Sequence, residues 1–550
     1  MNGLFLSMDG RYFLIIVITS TTLYSQVTQQ WVNRYNGTAN SFDIAVSLKL
    51  DNQQGIYVFG STSSAGSSTD IAVIKYLTSG VMQWQQVFNG NGNSADNVKK
   101  GCIDNYGNSY LTGFSTDSAG TIKIITLKCS PSGILLWHRL FLQTGYIQGF
   151  GQDILVDNSS NVFTCGYMRR PNGTYDIVIL KYSSEGNLLS SSVYNVTSSS
   201  TEIPVSMCRD SSGSLYVLGT TNSVSGYNDI LMLKYNSNLD FLLSNVFSGS
   251  ATADDKAVKI ITDRTGKLVI LASPKNISSN YDYGVYRFDT SFNLIMQFNY
   301  NGAGNHQDIP YDIVTDIYNN IYVTGSSRNA DTLGSEDIVT LKVNQGGGFL
   351  WSRFYNGVNR GIDYGISLAL DLSQNIYVGG TTDEHEGHQM FALLKYRPNG
   401  DLDWLKTYSA QYQSEDFISE ISVDNGYNIF VTGISFDSTS DYDITTIKYS
   451  QPIGIHSNSV SDAGMFRLYQ NSPNPFNSST RIRFSVPVHT KTSLKIYDVL
   501  GRQVNVLFDD LAEAGTHEFV FDVGYLPSGI YFCIMVTEKI SQIIKMLFIK

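Results

Sequence analysis

The sequence has little charge, few cysteines and few long apolar runs, and each shortage excludes a class of protein. Only 15% of the 550 residues are charged, and the net charge of −11 argues against nucleic acid, whose phosphates need a basic surface. The cysteines are odd in number and form no CxxC pair, so we predict small buried thiols rather than disulfides or a zinc site. Beyond the N-terminal region no apolar run could span a bilayer, and no sustained helical periodicity occurs. The mixture of Gly, Ser, Asn and Tyr is typical of a β-rich, turn-rich extracellular protein.

The N-terminus has the order of an export signal. Arg11 precedes the apolar run 12–18, and small and polar residues follow as far as Ser25 and Gln26. We therefore predict a signal peptide over residues 1–25. The alternative is a buried first strand.

An internal repeat organises most of the remaining chain. One aspartate recurs every 53 residues, with a single interval of 55, at Asp51, Asp104, Asp157, Asp210, Asp263, Asp316, Asp371 and Asp424. Each copy reads Asp, a short turn, Asn-x-Tyr-Val-x-Gly, a polar loop, Asp-Ile, Lys-Tyr and a closing Trp. A fixed period of this length indicates a repeat architecture.

Each copy contains four short strand patterns, which predicts an all-β fold, an eight-bladed β-propeller with four-stranded blades over residues 26–450. The array is permuted, so we expect the N-terminal strand at 31–36 to pair with 443–449 and close the last blade. Alternate connections lie on the same face, so one face carries short turns and the other long loops, where function is expected.

Several repeated positions are interpreted as structural. The aromatic of the second strand, such as Tyr57, should pack one blade on the next, and the glycine after it, such as Gly60, suggests close backbone approach. The five tryptophans share one outer-strand position. A basic residue, such as Lys75, occupies one position in every copy. We expect it to form an ion pair within its blade or to hold a turn in place, as a turn clamp. These copies resemble the SBBP-type β-propeller repeat over about 31–450, which implies the propeller fold and says little about activity. That family is usually described with seven blades.

The period ends at 450, residues 451–465 are interpreted as a linker, and 466–550 predict a small Ig-like β-sandwich. The motif residues are Pro473, Asn474, Pro475, Phe476, Asn477, Gly501, Gly529 and Tyr531. They resemble the type A sorting domain of type IX secretion. That resemblance implies a Bacteroidetes-type bacterium, export through the outer membrane, and removal of the domain by a sortase-like peptidase, with the cargo released or attached to the surface.

The sharpest candidate binding site is a near-ring of carboxylates where the long loops enter the first strands. Its members are Asp43, Asp96, Glu202, Asp255, Asp308, Asp363 and Asp416, and Gly149 interrupts it. The functional interpretation is a cation site, with calcium as the possible cofactor. The structural alternative, which we favour, is that each acid caps the backbone of its own loop.

Two further patterns concern chemistry. One first-strand position is polar in every copy, which predicts a hydrated channel of mixed charge: Ser47, Lys100, Asp153, Ser206, Lys259, Asp312, Ser367 and Glu420. The loop 383–388 breaks the repeat, and Asp383, His385 and His388 could bind a transition metal, with an ordinary exposed loop as the alternative.

The sequence thus favours a secreted or surface-displayed module that binds an unknown glycan or protein through its long-loop face. No nucleophile with a credible base appears. The alternatives are an extracellular polysaccharide-degrading enzyme and a structural envelope protein.

Overall fold

The structure is a computed structural model. It describes residues 7–8, 11–12, 27–66, 68–223, 226–249, 253–276, 280–303, 306–328, 335–385, 387–410, 415–439, 441–451, 466–499, 501–524, 526–537 and 540–550. Most of the predicted signal peptide and all of the predicted linker after residue 451 lie outside these ranges. The chain divides into two compact units, Met1–Ile453 and Gly454–Lys550.

Every regular element of the described residues is a β-strand. Two short strands pair near the N-terminus: β1 (Ser7–Met8) and β2 (Arg11–Tyr12). The strand β3 (Thr28–Tyr35) belongs to the last blade. Blade 1 contains β4 (Ile44–Leu50), β5 (Ile56–Ser63), β6 (Thr69–Tyr76) and β7 (Met82–Phe88). Blade 2 contains β8 (Asp96–Ile103), β9 (Ser109–Thr116), β10 (Ile122–Cys129) and β11 (Leu135–Phe141). Blade 3 contains β12 (Gln148–Val156), β13 (Val162–Arg169), β14 (Tyr175–Tyr182) and β15 (Leu188–Tyr194). Blade 4 contains β16 (Glu202–Arg209), β17 (Leu215–Thr221), β18 (Asp229–Tyr235) and β19 (Phe241–Phe247).

The remaining sheets of the first unit follow the same order. Blade 5 contains β20 (Lys256–Thr262), β21 (Leu268–Ser273), β22 (Tyr283–Phe288) and β23 (Leu294–Tyr300). Blade 6 contains β24 (Asp308–Thr315), β25 (Ile321–Ser327), β26 (Asp337–Val343) and β27 (Phe349–Tyr355). Blade 7 contains β28 (Tyr364–Leu370), β29 (Ile376–His385), β30 (His388–Tyr396) and β31 (Leu402–Tyr408). Blade 8 contains β32 (Asp416–Val423), β33 (Ile429–Asp437), β34 (Asp441–Ser450) and β3.

The blades form a closed ring, which confirms the propeller fold. The first strand of each blade contacts the first strand of the next, and β32 of blade 8 contacts β4 of blade 1. These first strands are therefore innermost. The predicted closure is also confirmed, because β3 pairs with β34 in antiparallel register, with Trp31 opposite Lys448 and Tyr35 opposite Ile444. A closed ring leaves no blade without a neighbour on either face.

The hydrophobic core lies between adjacent blades, as the alignment of aromatics and glycines predicts. Tyr57 of blade 1 is fully buried in one cluster with Val98, Leu111 and Ile125 of blade 2. The second-strand glycine is required by close backbone approach, because a Cβ on Gly113 would stand 1.9 Å from the carbonyl oxygen of Asn97. That carbonyl belongs to the innermost strand of the same blade.

The second unit is a sandwich of two sheets. Its strands are β35 (Arg467–Leu468), β36 (Ser479–Val486), β37 (Thr490–Asp498), β38 (Gln503–Ala512), β39 (Gly515–Asp522), β40 (Gly529–Thr537) and β41 (Ser541–Phe548). The sheet orders are β35-β36-β39 and β38-β37-β40-β41. Apolar residues from both sheets, among them Phe484, Phe521 and Met535, form a single core.

Candidate functional sites on the channel and the long-loop face

The seven predicted carboxylates are buried rather than displayed at the channel mouth. Their exposed fractions are 0% or 1% throughout the set. Burial raises the pKa of Asp43, Asp96, Glu202, Asp255, Asp308 and Asp363, and the pKa of Asp308 reaches about 6. They therefore do not form an open ring of ligands on the surface of the described residues.

Their hydrogen bonds show what these carboxylates do. Each aspartate of the set accepts the backbone N–H of the residue six positions earlier, as Asp43 does from Gly37 at 2.7 Å and Asp363 does from Gly357 at 2.7 Å. In four of them the carboxylate also accepts an N–H 20 positions later, such as Ser63 on Asp43 at 2.9 Å. One buried side chain thus ties together two connections on the long-loop face. The geometry agrees with the loop-capping alternative.

Blade 3 holds its loop differently, which explains how Gly149 interrupts the set. The Tyr146 hydroxyl donates to the Asp176 carboxylate, and Arg170 pairs with the same carboxylate at 2.8 Å. The backbone N–H of Ile147 donates to the carbonyl of Arg169 at 2.9 Å. A tyrosine and an ion pair therefore replace the missing carboxylate.

A polar axial cavity of about 640 Å³ lies within the ring of innermost strands. Every innermost strand has a β-bulge immediately before its predicted polar residue, for example between Ala45 and Ser47. A bulge leaves one residue outside the ladder and bends the strand. The bulged residues line the cavity together with the predicted polar residues other than Ser47, which is fully buried. The bulged residues Val205 and Tyr311 are exposed there.

The polar ring joins consecutive blades through backbone N–H groups. Where the polar side chain of a blade can accept a hydrogen bond, it accepts one from a backbone N–H of the next blade. The donor is the residue that directly follows the polar position in that next blade. Glu420 accepts from Leu48 at 2.7 Å, and Asp312 accepts from Leu368 at 2.7 Å. Ser47, Asp153, Ser206 and Ser367 do the same at 2.8 to 3.4 Å.

The mixed sign of the ring follows from this pattern. Lys100 and Lys259 cannot accept a hydrogen bond, and each is followed in the next blade by an aspartate. Asp153 then accepts the N–H of its own neighbour Ile154 at 2.9 Å, and Asp312 does so from Ile313 at 2.9 Å. Sequence reasoning predicted the polar lining but missed this rule. The available signal was that lysine at the polar position of one blade is followed by aspartate at the same position of the next blade, twice in the aligned copies.

In the channel, Glu420 lies between two lysines. Its carboxylate pairs with Lys49 at 2.6 Å and lies 3.9 Å from Lys100. Burial would raise its pKa, but these ammonium groups and the Leu48 N–H outweigh burial and hold the pKa of Glu420 at about 2. The carboxylate therefore stays ionised and links blade 8 to blades 1 and 2.

A second contact between blades involves the repeated lysine and tryptophan. Lys128 Nζ and Trp137 Nε1 of adjacent strands donate to one carbonyl oxygen, that of Ser184 in the next blade, at 2.9 and 3.0 Å. The same convergence occurs at Pro398 O and at Thr78 O. Ion pairs within a blade occur at Lys75 with Asp51 and at Arg287 with Asp263. Both predicted roles of the basic position are therefore present, but the turn clamp mainly joins neighbouring blades.

Gln451 completes this contact at the ring closure. Blade 8 has no covalent turn between its last two strands, because β3 comes from the N-terminus. The Gln451 Oε1 atom accepts from Lys395 at 2.9 Å and from Trp404 at 3.3 Å. Its Nε2 donates to the Tyr377 hydroxyl and to the Tyr427 carbonyl. Sequence analysis assigned Gln451 to the linker and missed this role.

The predicted metal-binding loop is the end of a hairpin. β29 extends to His385 and β30 starts at His388, and these two residues are register partners. Asp383 is buried and accepts the N–H of Gly387 at 3.1 Å. The side chain of His385 lies outside the part of the molecule that the structure describes. Among the described residues, no group of three His, Cys, Asp or Glu could hold a metal. The transition-metal hypothesis stays a prediction.

The predicted sorting motif anchors the last strand of the sandwich. Phe476 is buried against Phe521 and Phe548, and its N–H donates to the Leu547 carbonyl at 3.0 Å. The Asn474 side chain accepts the Leu547 N–H at 2.8 Å. Pro473 and Asn477 contribute carbonyl acceptors, and Pro475 lies between the two anchoring residues. The other residues of the motif lie elsewhere in the sandwich. Gly501 has a φ of 75° in a tight turn, and Gly529 begins β40. The Tyr531 hydroxyl donates to the Pro527 carbonyl oxygen at 2.7 Å.

The comparisons with known families agree with this architecture. The chain carries SBBP beta-propeller repeats, matched at residues 298–331 and 351–385. Residues 472–550 match the secretion system C-terminal sorting domain. The protein is therefore an extracellular propeller protein, secreted or attached to the outer-membrane surface. The sorting domain implies interaction with the type IX secretion machinery. No helix in the described part of the chain is long and apolar enough to cross a membrane.

Solved structures similar to the chain are remote. The WD40 domain of SCAP from fission yeast shares 9% identity, with 77% of this chain and 98% of that chain covered at a TM-score of 0.39. A polysaccharide lyase, an ulvan lyase, shares 12% identity, with 75% and 95% covered at a TM-score of 0.40. A protein of unknown function from Dyadobacter fermentans shares 8% identity, with 56% and 96% covered at a TM-score of 0.32. No curated protein matches the chain. These similarities carry no argument about function.

Proposed function

We propose that the protein is a binding module that recognises a glycan or another protein through its long-loop face. The observation that carries this proposal is the contrast between fixed loop bases and variable loop tips. Buried carboxylates hold the bases in the same way in most blades, while the residues at the tips differ from blade to blade. Loops held in this way lose little conformational entropy on binding.

The connection between blades 6 and 7 is the best candidate for the contact surface. Val358 and Ile362 are 79% and 54% exposed, and Asp363 fixes the base of the same loop. Exposed apolar side chains on a rigid loop, surrounded by polar groups, are typical of a recognition site. A partner covering this loop would bury both side chains.

The proposal is tested by screening the purified protein against a glycan array and against extracted envelope proteins, with and without calcium. The variant pair Val358→Asp and Ile362→Asp should weaken any binding found by at least about tenfold, since a central contact contributes more than about 1 kcal/mol. Leu372→Asp is the matched control, because Leu372 is 67% exposed but lies in a short turn on the opposite face. Binding that is lost only in the Leu372 variant would reject the long-loop face, and an absence of binding in every condition would reject the binding module.

The type IX machinery also provides a partner for the sorting domain. We propose that a sortase-like peptidase removes residues C-terminal to Gln451, because Gln451 still belongs to the propeller through its contacts with Lys395 and Tyr377. Mass spectrometry of the exported protein measures the new C-terminus. A terminus before residue 451 would contradict this proposal.

The polysaccharide-degrading and envelope-structural alternatives stay predictions. Glycoside hydrolysis requires two accessible carboxyl groups about 5 to 9 Å apart. The seven carboxylates at the bases of the long loops are buried and accept hydrogen bonds from those loops, so they do not supply such a pair.

A further inference from the structure

A carboxylate in blade 6 is buried with no hydrogen-bond partner among the described residues. Asp337, the first residue of β26, has an exposed fraction of 0%. In the part of the chain that the structure describes, neither of its carboxylate oxygens has a hydrogen-bond partner. Burying an unpaired carboxylate costs several kcal/mol, so proteins normally supply a partner or a bound ion.

The corresponding position in other blades is neutralised or replaced. Asp176 pairs with Arg170 at 2.8 Å, Asp443 pairs with Arg34 at 3.2 Å, and the Asn276 amide donates to both oxygens of Asp282 at 3.1 Å. Asp70 and Asp229 also have interaction partners. In blades 2 and 7 the acid is absent, because Lys123 and Met390 take its place. Blade 6 keeps the acid, and among its described residues no cation is paired with Asp337.

A second buried carboxylate from the next blade faces Asp337. The N–H of Asp363 donates to the carbonyl of Glu336 at 2.7 Å, so the two chain segments meet beside both aspartates. Asp363 is 0% exposed, and each of its oxygens accepts one backbone N–H. The Thr382 side chain also hydrogen-bonds to this carboxylate. An ionised carboxylate can accept about four contacts, so Asp363 keeps unused acceptor capacity. Burial and the Asp363 charge raise the pKa of Asp337 to about 6.

A third oxygen without a donor belongs to the same loop. The Asn356 Oδ1 atom is buried and has no hydrogen-bond partner. Asn356 directly precedes Gly357, whose N–H is held by Asp363 at 2.7 Å. The interface of blades 6 and 7 thus combines two carboxylates and an amide oxygen that have unused acceptor capacity.

We propose that the interface of blades 6 and 7 binds a calcium ion through Asp337, Asp363 and the Asn356 amide oxygen. Carboxylate and amide oxygens are the ligands that Ca²⁺ prefers, and its flexible coordination suits a site built by two blades. A bound cation would supply the counter-charge that the described residues do not provide at Asp337. The site joins adjacent blades below the long loops, and it is independent of the ligand proposed for the loop tips.

The test uses the purified full chain after removal of metal with a chelator. Added Ca²⁺ should raise the melting temperature, because a ligand that binds only the folded state stabilises it, and isothermal titration calorimetry should show one dominant site. Asp337→Asn should abolish the calcium-dependent shift. Without calcium this variant should be at least as stable as the unsubstituted protein, because asparagine removes the uncompensated charge.

Asp282→Asn is the matched control, because Asn276 already occupies both oxygens of Asp282, and it should keep the full calcium response. An absence of calcium binding, or binding that Asp337→Asn leaves unchanged, would overturn the proposal. The proposal would also be overturned if a proton, and not a calcium ion, neutralises the Asp337 carboxylate. In that case calcium has no effect, and the stability advantage of Asp337→Asn over the unsubstituted protein grows as the pH rises from 3.8 to about 6 and is constant above that.

Discussion

Replacement of Glu420 by glutamine tests whether the charges of the axial ring hold the propeller closed. Glutamine has the same shape and can still accept the Leu48 N–H, which Glu420 holds at 2.7 Å. It removes the negative charge that pairs with Lys49 at 2.6 Å and Lys100 at 3.9 Å. The substitution therefore removes the charge of residue 420 and keeps its size and its hydrogen bond to Leu48.

The magnitude follows from the pKa of Glu420, which falls from an ordinary 4.5 to about 2. A difference of this size corresponds to about 3 kcal/mol of stabilisation of the ionised form. The side chain is 20% exposed, so solvent screens it only partly. We expect Glu420→Gln to lower the free energy of unfolding by about 2 to 3 kcal/mol near neutral pH.

The pH dependence gives the decisive measurement, by urea unfolding at several pH values. Because the folded-state pKa is depressed, the stabilisation is complete above about 4.5 and is lost as the pH falls through about 2. The difference between the unsubstituted protein and Glu420→Gln should therefore shrink on acidification. Ser367→Ala is the control at the same ring position, since it removes only a neutral bond to the Ile421 N–H and should cost about 1 kcal/mol at every pH. Equal stability of Glu420→Gln and the unsubstituted protein near neutral pH would refute the reasoning.

Three further predictions concern closure and packing. Gln451→Ala should lower the unfolding free energy by about 1 to 3 kcal/mol, measured in urea, because Lys395 and Trp404 lose their common acceptor; an unchanged midpoint would show that water replaces the amide. Gly113→Ala should cost more than about 3 kcal/mol in the same assay, since its Cβ would meet a backbone carbonyl at 1.9 Å, whereas Gly529→Ala, with open space around it, should cost little. Deletion of residues 27–42 should lower the melting temperature substantially, because β34 loses β3 and keeps only β33 as a partner strand. A melting curve that does not change would contradict the closure.

The architecture could be predicted because it depends on local and periodic signals. The aspartate turn at Asp51, the aromatic Tyr57 and the glycine Gly60 each recur with the period, so their alignment identifies strand order and the faces that pack. The closure of blade 8 was predictable for the same reason, because Trp31 occupies the position that follows Lys448 in the repeat unit.

The candidate sites were less predictable, because they depend on which groups meet across blades. The seven acids could have lined the channel or capped their loops, and a sequence does not distinguish these cases. The tertiary structure decided between them, because these acids accept backbone N–H groups of the loops, as Asp43 does from Gly37 and Ser63. The acids at the start of the strand remain buried against their own loops. The hairpin that ends at His385 and His388 likewise replaced the loop expected from composition.

The sequence by itself determined the repeat, the propeller fold and its closing strand, because period, turn residues and strand patterns are local properties of the chain. It also determined the sorting domain through a contiguous motif. Only the tertiary structure decided the hydrogen bonds of the polar ring, the role of Gln451 and the lack of a described partner for Asp337, since each depends on which groups of a neighbouring blade lie within reach. A residue type indicates which bonds a side chain can make, and the packing of blades determines which partners are within reach.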